Sequence, residues 1–290
     1  MNDDIISRQI IEYENSSITE RQSYCEHTQE PLKNKDLFFD LKNELVNIKL
    51  PTENIEININ DFENWLVDFS AINELYEKMG DVYIEKCLEH YLAFKYLNIS
   101  QKDVVIDIAA CGSPFAKILI EKGIKSYRLD MSYPEGINGI NIGADAGDTK
   151  LLSEFADVLC LQCAYECFMG DADIRFIKEA GRILKNNGRV GIVPLYLDDS
   201  YYIITSPYCN QNNIVIDEGA KRVWREDKYK APFSRHYSLD SFNKRIHSNI
   251  PNGMKAKILF FQNLPDIMKK YANQRIYCYF MLLCEKKCVN

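Results

Sequence analysis

The chain has 290 residues, 46% of them hydrophobic, and a formal net charge of −7. This length suits one large domain or one domain with additions, and the acidic balance argues against nucleic acid as a partner, because phosphate binding needs a basic surface. The polar start MNDDIISRQ is not typical of a secretory signal, and no apolar run approaches the roughly 18 residues of a membrane span. We therefore expect a cytoplasmic protein without a membrane span.

The ten cysteines raise the question of disulfides or a metal site. Without a secretory signal, free thiols in a reducing compartment are the better interpretation. Cys160 and Cys163 form a CxxC pair, but Cys278 and Cys284 do not supply a second pair at similar spacing, which a structural zinc site needs. We predict no metal site.

The first 98 residues are mixed in pattern and mostly helical. IEININ (55–60) alternates and indicates a short strand. Apolar residues at helical spacing predict a helix over 61–78, which Gly80 ends, and a second helix over 81–98. We predict that residues 1–98 form a helical cap beside the core. The wide apolar face of the 61–78 helix needs a partner surface, either the core or a second copy in a homodimer.

From residue 99 onward, strand and helix patterns alternate. Short apolar runs typical of strands buried on both faces recur between helical segments. The predicted strands are 104–108, 127–131, 139–142, 157–162 and 189–195. The predicted helices are 114–122, 151–155 and 174–184. This alternation predicts right-handed βαβ units and a parallel sheet.

The alternation stops at residues 198–236, which we interpret as an irregular insertion rich in Tyr, Asp, Asn and basic residues. Ser238 then caps a helix, and 255–261 and 276–284 are expected to close the sheet as an antiparallel hairpin. The predicted fold is α/β and Rossmann-like. It has a seven-stranded, mostly parallel sheet with helices on both faces, formed by residues 99–290, with an insertion or lid at about 198–247.

The loop after the first core strand, in VVIDIAACGSPFA (104–116), has one glycine, Gly112. Dinucleotide-binding loops use three glycines to approach a pyrophosphate closely, so a nicotinamide oxidoreductase is disfavoured. Ser113 and Pro114 are typical of an N-cap and a first helical position. The small residues still allow a ligand to lie against the backbone, which suits a smaller cofactor without phosphates.

At these residues the chain resembles the class I S-adenosylmethionine (SAM) dependent methyltransferases, over about 81–197. Asp107 and Ala110–Ser113 match the first motif of that family, although alanine, cysteine and serine replace its usual glycines. LQCAYECF (161–168) matches the stretch after the fourth strand, and GRILKNNGRVGIVPLY (181–196) resembles the element that ends the core.

The resemblance implies SAM as cofactor and S-adenosylhomocysteine (SAH) as product. Asp130, 23 residues after Asp107, would take the ribose hydroxyls, and Asp145 would meet the adenine amino group. Ligands of open α/β sheets lie beyond the carboxyl ends of the strands, where these residues fall. The expected cofactor-binding residues are Asp107, Ala110, Cys111, Gly112, Ser113, Asp130, Met131, Asp145, Ala146 and Gln162.

Methyl transfer to a hydroxyl is helped by a general base. Four histidines occur, and His236, in SRHYS before the Ser238 helix, is the one expected to fold over the strand ends. An unperturbed histidine titrates near 6.5, which suits proton removal. Glu166 is the rival, because it follows the fourth strand directly.

Residues 220–247 contain eight Lys or Arg against three acids, which predicts an anion-recognising lid. Arg222 and Arg235 are the expected anion contacts, because arginine presents a planar donor fork, and Tyr165 and Tyr237 are further acceptor-binding candidates. The stretch 193–246 is similar to bacterial methyltransferases that accompany glycan biosynthesis. The acceptor is thus expected to be small, and either anionic or glycan-linked.

We predict methylation at oxygen, because the Asn/Asp-Pro-Pro-Tyr type element usual for nitrogen does not follow the fourth strand. Because the first motif departs from the usual pattern, an alternative hypothesis is that the chain is a non-catalytic SAM-binding or scaffold domain.

Overall fold

The computed structural model describes residues 2–17, 34–208, 214–225 and 233–287. Eleven β-strands lie in this part of the chain. They are β1 (Thr52–Ile55), β2 (Val104–Ile108), β3 (Lys125–Asn138), β4 (Asn141–Gly143), β5 (Ala156–Gln162), β6 (Leu184–Val193), β7 (Tyr202–Thr205), β8 (Lys221–Trp224), β9 (Ser234–His236), β10 (Met254–Phe261) and β11 (Phe280–Lys286).

The same residues form nine α-helices. They are α1 (Asn2–Asn15), α2 (Lys35–Glu44), α3 (Ile59–Asp68), α4 (Ser70–Tyr76), α5 (Tyr83–Tyr96), α6 (Phe115–Glu121), α7 (Ala172–Ile183), α8 (Leu239–Arg245) and α9 (Leu264–Lys270). Short 3₁₀ helices cover Leu45–Ile48, Glu77–Val82, Tyr165–Cys167 and His247–Asn249. None of the described helices is long and apolar enough to cross a membrane.

The main sheet has eight strands in the order β1-β10-β11-β6-β5-β2-β3-β4. β11 runs antiparallel to both of its neighbours, and the second half of β3 pairs antiparallel with β4, through Ile137–Ile142 and Asn138–Asn141. The other pairings in this sheet are parallel. From β4 to β6 the strand order is that of a Rossmann-like sheet. Successive strands are placed outward on one side of β2 and then on the other, so the strand order reverses between β2 and β5. The predicted Rossmann-like fold and its antiparallel closing pair are confirmed, with eight strands instead of seven.

The additional strand is β1, which pairs with β10 through Thr52–Ile258 and Ile55–Phe261. The predicted strand at 55–60 is therefore displaced toward the N-terminus. Its second half instead begins a helix, because the Asn58 side chain accepts a hydrogen bond from the Asp61 amide (3.1 Å) and caps α3.

Two predicted helices differ from those observed. The helix expected over 61–78 is broken at Phe69 (φ −117°, ψ 44°) into α3 and α4. No helix forms at 151–155, because Lys150 and Glu154 both adopt the left-handed region, with φ of 57° and 59°. The chain between β4 and β5 consequently turns without a helix.

The insertion is not irregular, as the sequence suggested, but contains a second sheet in the order β8-β7-β9. β7 pairs in parallel with β8 and antiparallel with β9. The Ser238 hydroxyl then accepts a hydrogen bond from the Ser241 amide (3.3 Å), which confirms the predicted cap of α8.

The N-terminal helices pack against both sheets. In α1, Glu12 pairs with Arg222 of β8 (2.5 Å), and Tyr13 lies edge-on to Trp224. In α2, Phe38 stacks on Tyr279 with a centroid separation of 4.3 Å. Because β1 also belongs to the main sheet, residues before 98 contribute to the core as well as covering it. A domain boundary at residue 98 stays a prediction.

Candidate functional site

Three adjoining cavities lie at the carboxyl ends of the parallel strands. The inner cavity, of about 300 Å³, is formed where β2 and β5 end. The edge cavity, of about 260 Å³, is formed by residues 129–131 of β3 and by the residues that follow β4. Ala109 lines both. The large cavity, of about 520 Å³, lies between α5, the insertion and the residues before β11.

The loop after β2 forms one wall of the inner cavity. Ala109 and Gly112 have positive φ values of 54° and 77°, so the chain turns sharply without the three glycines of a dinucleotide loop. The helix after this loop begins one residue later than predicted, since Pro114 precedes its first residue and the Ser113 hydroxyl accepts from the Phe115 amide (3.2 Å). Six predicted cofactor residues line the inner cavity: Ala110, Cys111, Gly112 and Ser113 in this loop, Asp107 in β2 and Gln162 at the end of β5.

Two buried polar atoms in the inner cavity have no hydrogen-bond partner within the described residues: Oδ2 of Asp107 and Nε2 of Gln162. Asp107 is 2% exposed and Gln162 is 8% exposed. Burial raises the pKa of Asp107 to about 7, opposed in part by the Ser113 hydroxyl and Arg128. Since orphaned buried polar atoms are costly, this pair indicates a ligand with one hydrogen-bond donor and one acceptor.

The edge cavity brings together the remaining predicted cofactor residues: Asp130, Met131, Asp145 and Ala146. Asp130 accepts a hydrogen bond from the Ser132 amide (2.8 Å) through Oδ1. Asp145 is fixed by Arg175 (2.7 Å) and by the Gly147 amide (2.7 Å). The cavity therefore presents one carboxylate in β3, just after the part of that strand that pairs with β2, and a second, rigidly held one beyond β4.

The large cavity borders both smaller ones. It shares Tyr76, Met79 and Cys163 with the inner cavity and Cys167 with the edge cavity. Glu166 lines it, and Oε2 of this carboxylate is buried without a partner in the described part of the chain. Burial raises the pKa of Glu166, and the charge of Lys86 opposes the shift. Such a carboxylate is a stronger base than an exposed one.

His236 also lines the large cavity, but its ring is confined. It lies between the rings of Tyr196 and Tyr202, each 4.6 Å away between centroids, and the side chain is 4% exposed. Its Nδ1 is 3.0 Å from the Tyr202 hydroxyl and 3.7 Å from an Asp198 oxygen. These contacts orient the imidazole as part of a polar network within the insertion.

The structure places all four predicted acceptor-binding residues outside the lining of the large cavity. Tyr165 and Tyr237 are buried, and both bind Asp173 through their hydroxyls. Arg235 is fully buried against Asp217 and Asp173, and Arg222 is bound to Glu12 on the outer face of the insertion. The prediction that these arginines contact an anionic acceptor does not agree with this placement, because acids of the same chain already neutralise them.

Other cations line the large cavity instead: Lys86 from α5, Arg225 after β8 and Arg275 before β11. Lys86 forms an ion pair with Glu89 (2.9 Å), and Arg275 with Asp81 (2.6 Å). The sequence gives no signal for Lys86 or Arg275, because both are isolated charges in segments far from the insertion in the chain. Tyr196 and Tyr277, whose rings stack on each other, were also missed.

Within the described residues, no group of three His, Cys, Asp or Glu side chains converges as a set of metal ligands. Cys160 of the CxxC pair is completely buried in β5.

No protein-family model matches the chain, and no curated protein matches it. Solved structures resemble its fold. One is the Burkholderia thailandensis 1,6-didemethyltoxoflavin-N1-methyltransferase with bound 1,6-didemethyltoxoflavin and S-adenosylhomocysteine (10% identity, 78% of this chain and 90% of that chain, TM-score 0.46). Another is a SAM-dependent methyltransferase from Methanosarcina mazei (12% identity, 68% of this chain and 98% of that chain, TM-score 0.42). At this distance the similarity concerns the fold.

Proposed function

We propose that this protein is a SAM-dependent methyltransferase that methylates a small, anionic acceptor at oxygen. The observation that carries the proposal is the pair of orphaned atoms in the inner cavity. An amino acid has an ammonium donor and a carboxylate acceptor, and Asp107 and Gln162 offer the complementary groups. The residues present therefore fit the methionine end of SAM, and the product SAH has the same two groups.

The adjoining edge cavity suits the adenosine end. Asp130 would hold the ribose hydroxyls, and Asp145, Ala146 and Met131 would face the adenine. When bound, SAM supplies a methyl group activated by its sulfonium. The task of the chain is then to orient the acceptor and remove its proton.

The large cavity is the proposed acceptor site, because it shares walls with both cofactor cavities. Its volume of about 520 Å³ lies in the usual range for small-molecule sites and accommodates a ring-sized molecule or the end of a glycan. Lys86, Arg225 and Arg275 line it, and Lys86 and Arg275 also pair with Glu89 and Asp81. Unlike Arg222 and Arg235, these cations reach the cavity, so they are the proposed contacts of an anionic acceptor.

Glu166 is the proposed general base. It lies at the junction of the cavities, next to Cys167, which lines both the large and the edge cavity. Its orphaned oxygen is available for an acceptor hydroxyl, whereas Nδ1 of His236 is already engaged with Tyr202. His236 is proposed as a wall residue of the acceptor site and is the second candidate for the base.

The direct test of the cofactor assignment is calorimetry with SAH on the wild type and Asp130→Ala. Hydrogen bonds to a charged group contribute about 1.5–3 kcal/mol, so we expect the variant to bind about tenfold more weakly or worse. Asp266→Ala, which removes an exposed carboxylate of α9, is the matched control and should bind SAH normally. Equal affinities for all three proteins would contradict the assignment of Asp130. Turnover of labelled SAM over an acceptor panel then separates an enzyme from a binding domain.

SAH affinity is expected to depend on pH through Asp107. With a pKa of about 7 in the free protein, this carboxyl is protonated in acid and attracts an ammonium only once ionised. Affinity should therefore rise from about pH 5.5 to 7.5 and fall again only in alkaline solution, where the ammonium of the free amino acid loses its proton. Calorimetry across this range checks the profile. Asp107→Asn should lose the rising limb, and a rise that persists in this variant would assign the titration to another group.

A further inference from the structure

A buried arginine of the insertion holds the backbone that follows β5. Arg235, in β9, has no exposed surface. Its guanidinium donates to the carbonyl oxygens of Phe168 (2.5 Å) and Gly170 (2.9 Å). These two carbonyls belong to the connection between β5 and α7, which lies about 65 residues earlier in the chain.

Two carboxylates compensate the buried charge. Asp217, in the insertion, accepts from Nε of Arg235 (2.7 Å), and Asp173, at the start of α7, lies 3.2 Å from Nη1. Arg245 of α8 donates to both oxygens of Asp173 (2.7 and 2.9 Å) and also to the carbonyl of Gly170. Two arginines and two aspartates thus form a neutral network, in which Arg235, Asp173 and Asp217 are buried and Arg245 is partly exposed.

The backbone held by this network lines two cavities. Cys167, Phe168 and Met169 line the edge cavity, and Glu166 and Cys167 line the large cavity. None of the arginines or aspartates of the network lines either cavity. Arg235 therefore acts on the edge cavity through the main chain of residues 168–170. It adjoins the large cavity through Phe233, over whose ring the guanidinium lies, and through its neighbours in β9, Ser234 and His236.

We propose that Arg235 is a positioning residue, through which the insertion sets the wall shared by the cofactor and acceptor sites. The inference rests on the proposed function and goes beyond it. It assigns the insertion a role in cofactor affinity in addition to its contribution to the acceptor cavity. A guanidinium suits this role because its planar donors fix two carbonyls and two carboxylates at once.

The test is Arg235→Lys, which keeps the charge opposite Asp173 and Asp217 but removes the fork that reaches both carbonyls. SAH affinity is measured by calorimetry, and mobility of the wall by amide hydrogen exchange of residues 166–170. We expect binding to weaken by about five- to tenfold and exchange in this segment to accelerate by about tenfold.

Arg189→Lys is the matched control. Arg189 also donates to two backbone carbonyls, of Leu97 and Asn98, and pairs with Asp103 (3.0 Å), but it lines none of the three cavities. We expect its SAH affinity to stay within about twofold of the wild type. If Arg235→Lys does not fold, Tyr237→Phe removes a single hydrogen bond to Asp173 (2.8 Å) and should weaken SAH binding by about two- to threefold.

Wild-type affinity and exchange in Arg235→Lys, or in Tyr237→Phe when that variant is needed, would overturn the proposal. An equal loss of affinity in Arg189→Lys would also overturn it, because the effect would then follow from general destabilisation. Absence of SAH binding by the wild type would instead refute the proposed function, and the exchange data would still decide whether Arg235 fixes residues 166–170.

Discussion

Glu166→Gln is expected to lower the rate of methyl transfer by about 10²–10⁴-fold while SAH affinity stays unchanged. The amide keeps the size of the side chain but cannot accept a proton at the orphaned Oε2 position. The measurement is single-turnover transfer of a labelled methyl group to an acceptor found by screening, together with calorimetry for SAH. Because burial raises the pKa of Glu166, the wild-type rate should rise with pH through a range above the usual titration of a glutamate.

Glu179→Gln is the matched control for this variant. Glu179, in α7, is also a buried glutamate and is bound by Thr149 and by Arg182 of the same helix. It lines none of the three cavities. His236→Asn separates the two candidate bases. Near-normal turnover of Glu166→Gln combined with a large loss in His236→Asn would show that the imidazole, and not the carboxylate, removes the proton.

Asp173→Ala is expected to lower the free energy of unfolding by about 3–5 kcal/mol, because it leaves a buried positive charge uncompensated. The carboxylate is fully buried and accepts hydrogen bonds from Arg245 and from the Tyr237 hydroxyl (2.8 Å). Asp217 alone would then face both Arg235 and Arg245. Urea unfolding followed by circular dichroism measures the change.

Asp148→Ala provides the comparison. Asp148 is more than half exposed and pairs with Lys150 on the surface, and exposed ion pairs contribute little. A loss of stability in Asp173→Ala no larger than in Asp148→Ala would mean that Asp173 does not stabilise the charges of Arg235 and Arg245.

The central strands could be predicted from the sequence because their environment is simple. β2 and β5 are buried on both faces, so VVIDI and DVLCLQ are almost continuously apolar. The polar residues that end these strands, Asp107 and Gln162, must then lie at the same edge of the sheet. The structure places them in one cavity.

The edge strand β1 and the lining of the acceptor cavity could not be predicted, because they depend on contacts between segments far apart in the chain. β1 pairs with a strand about 200 residues later in the chain. A strand of four residues contains no sequence pattern that would identify such a distant partner. The basic composition of 220–247 indicated an anion, but composition does not reveal whether the chain itself supplies that anion. For Arg235 it does, through Asp173 and Asp217. Lys86 shows the converse, because a single lysine in an apolar helix reached the large cavity without any pattern around it.

The short strands at the two edges of the main sheet have a consequence for association. β1 forms one edge with four residues. At the other edge β4 has three residues and lies between the two halves of β3, so the outermost segment there is the short second half of β3, residues 135–138. A long unpaired edge is a template for pairing with another chain, and short edge strands are one way in which proteins avoid it. Within the described residues the sheet therefore offers little free backbone to a second copy. These edges favour contacts with a second copy through side chains of the helices or the insertion over an extension of the main sheet from one molecule to the next.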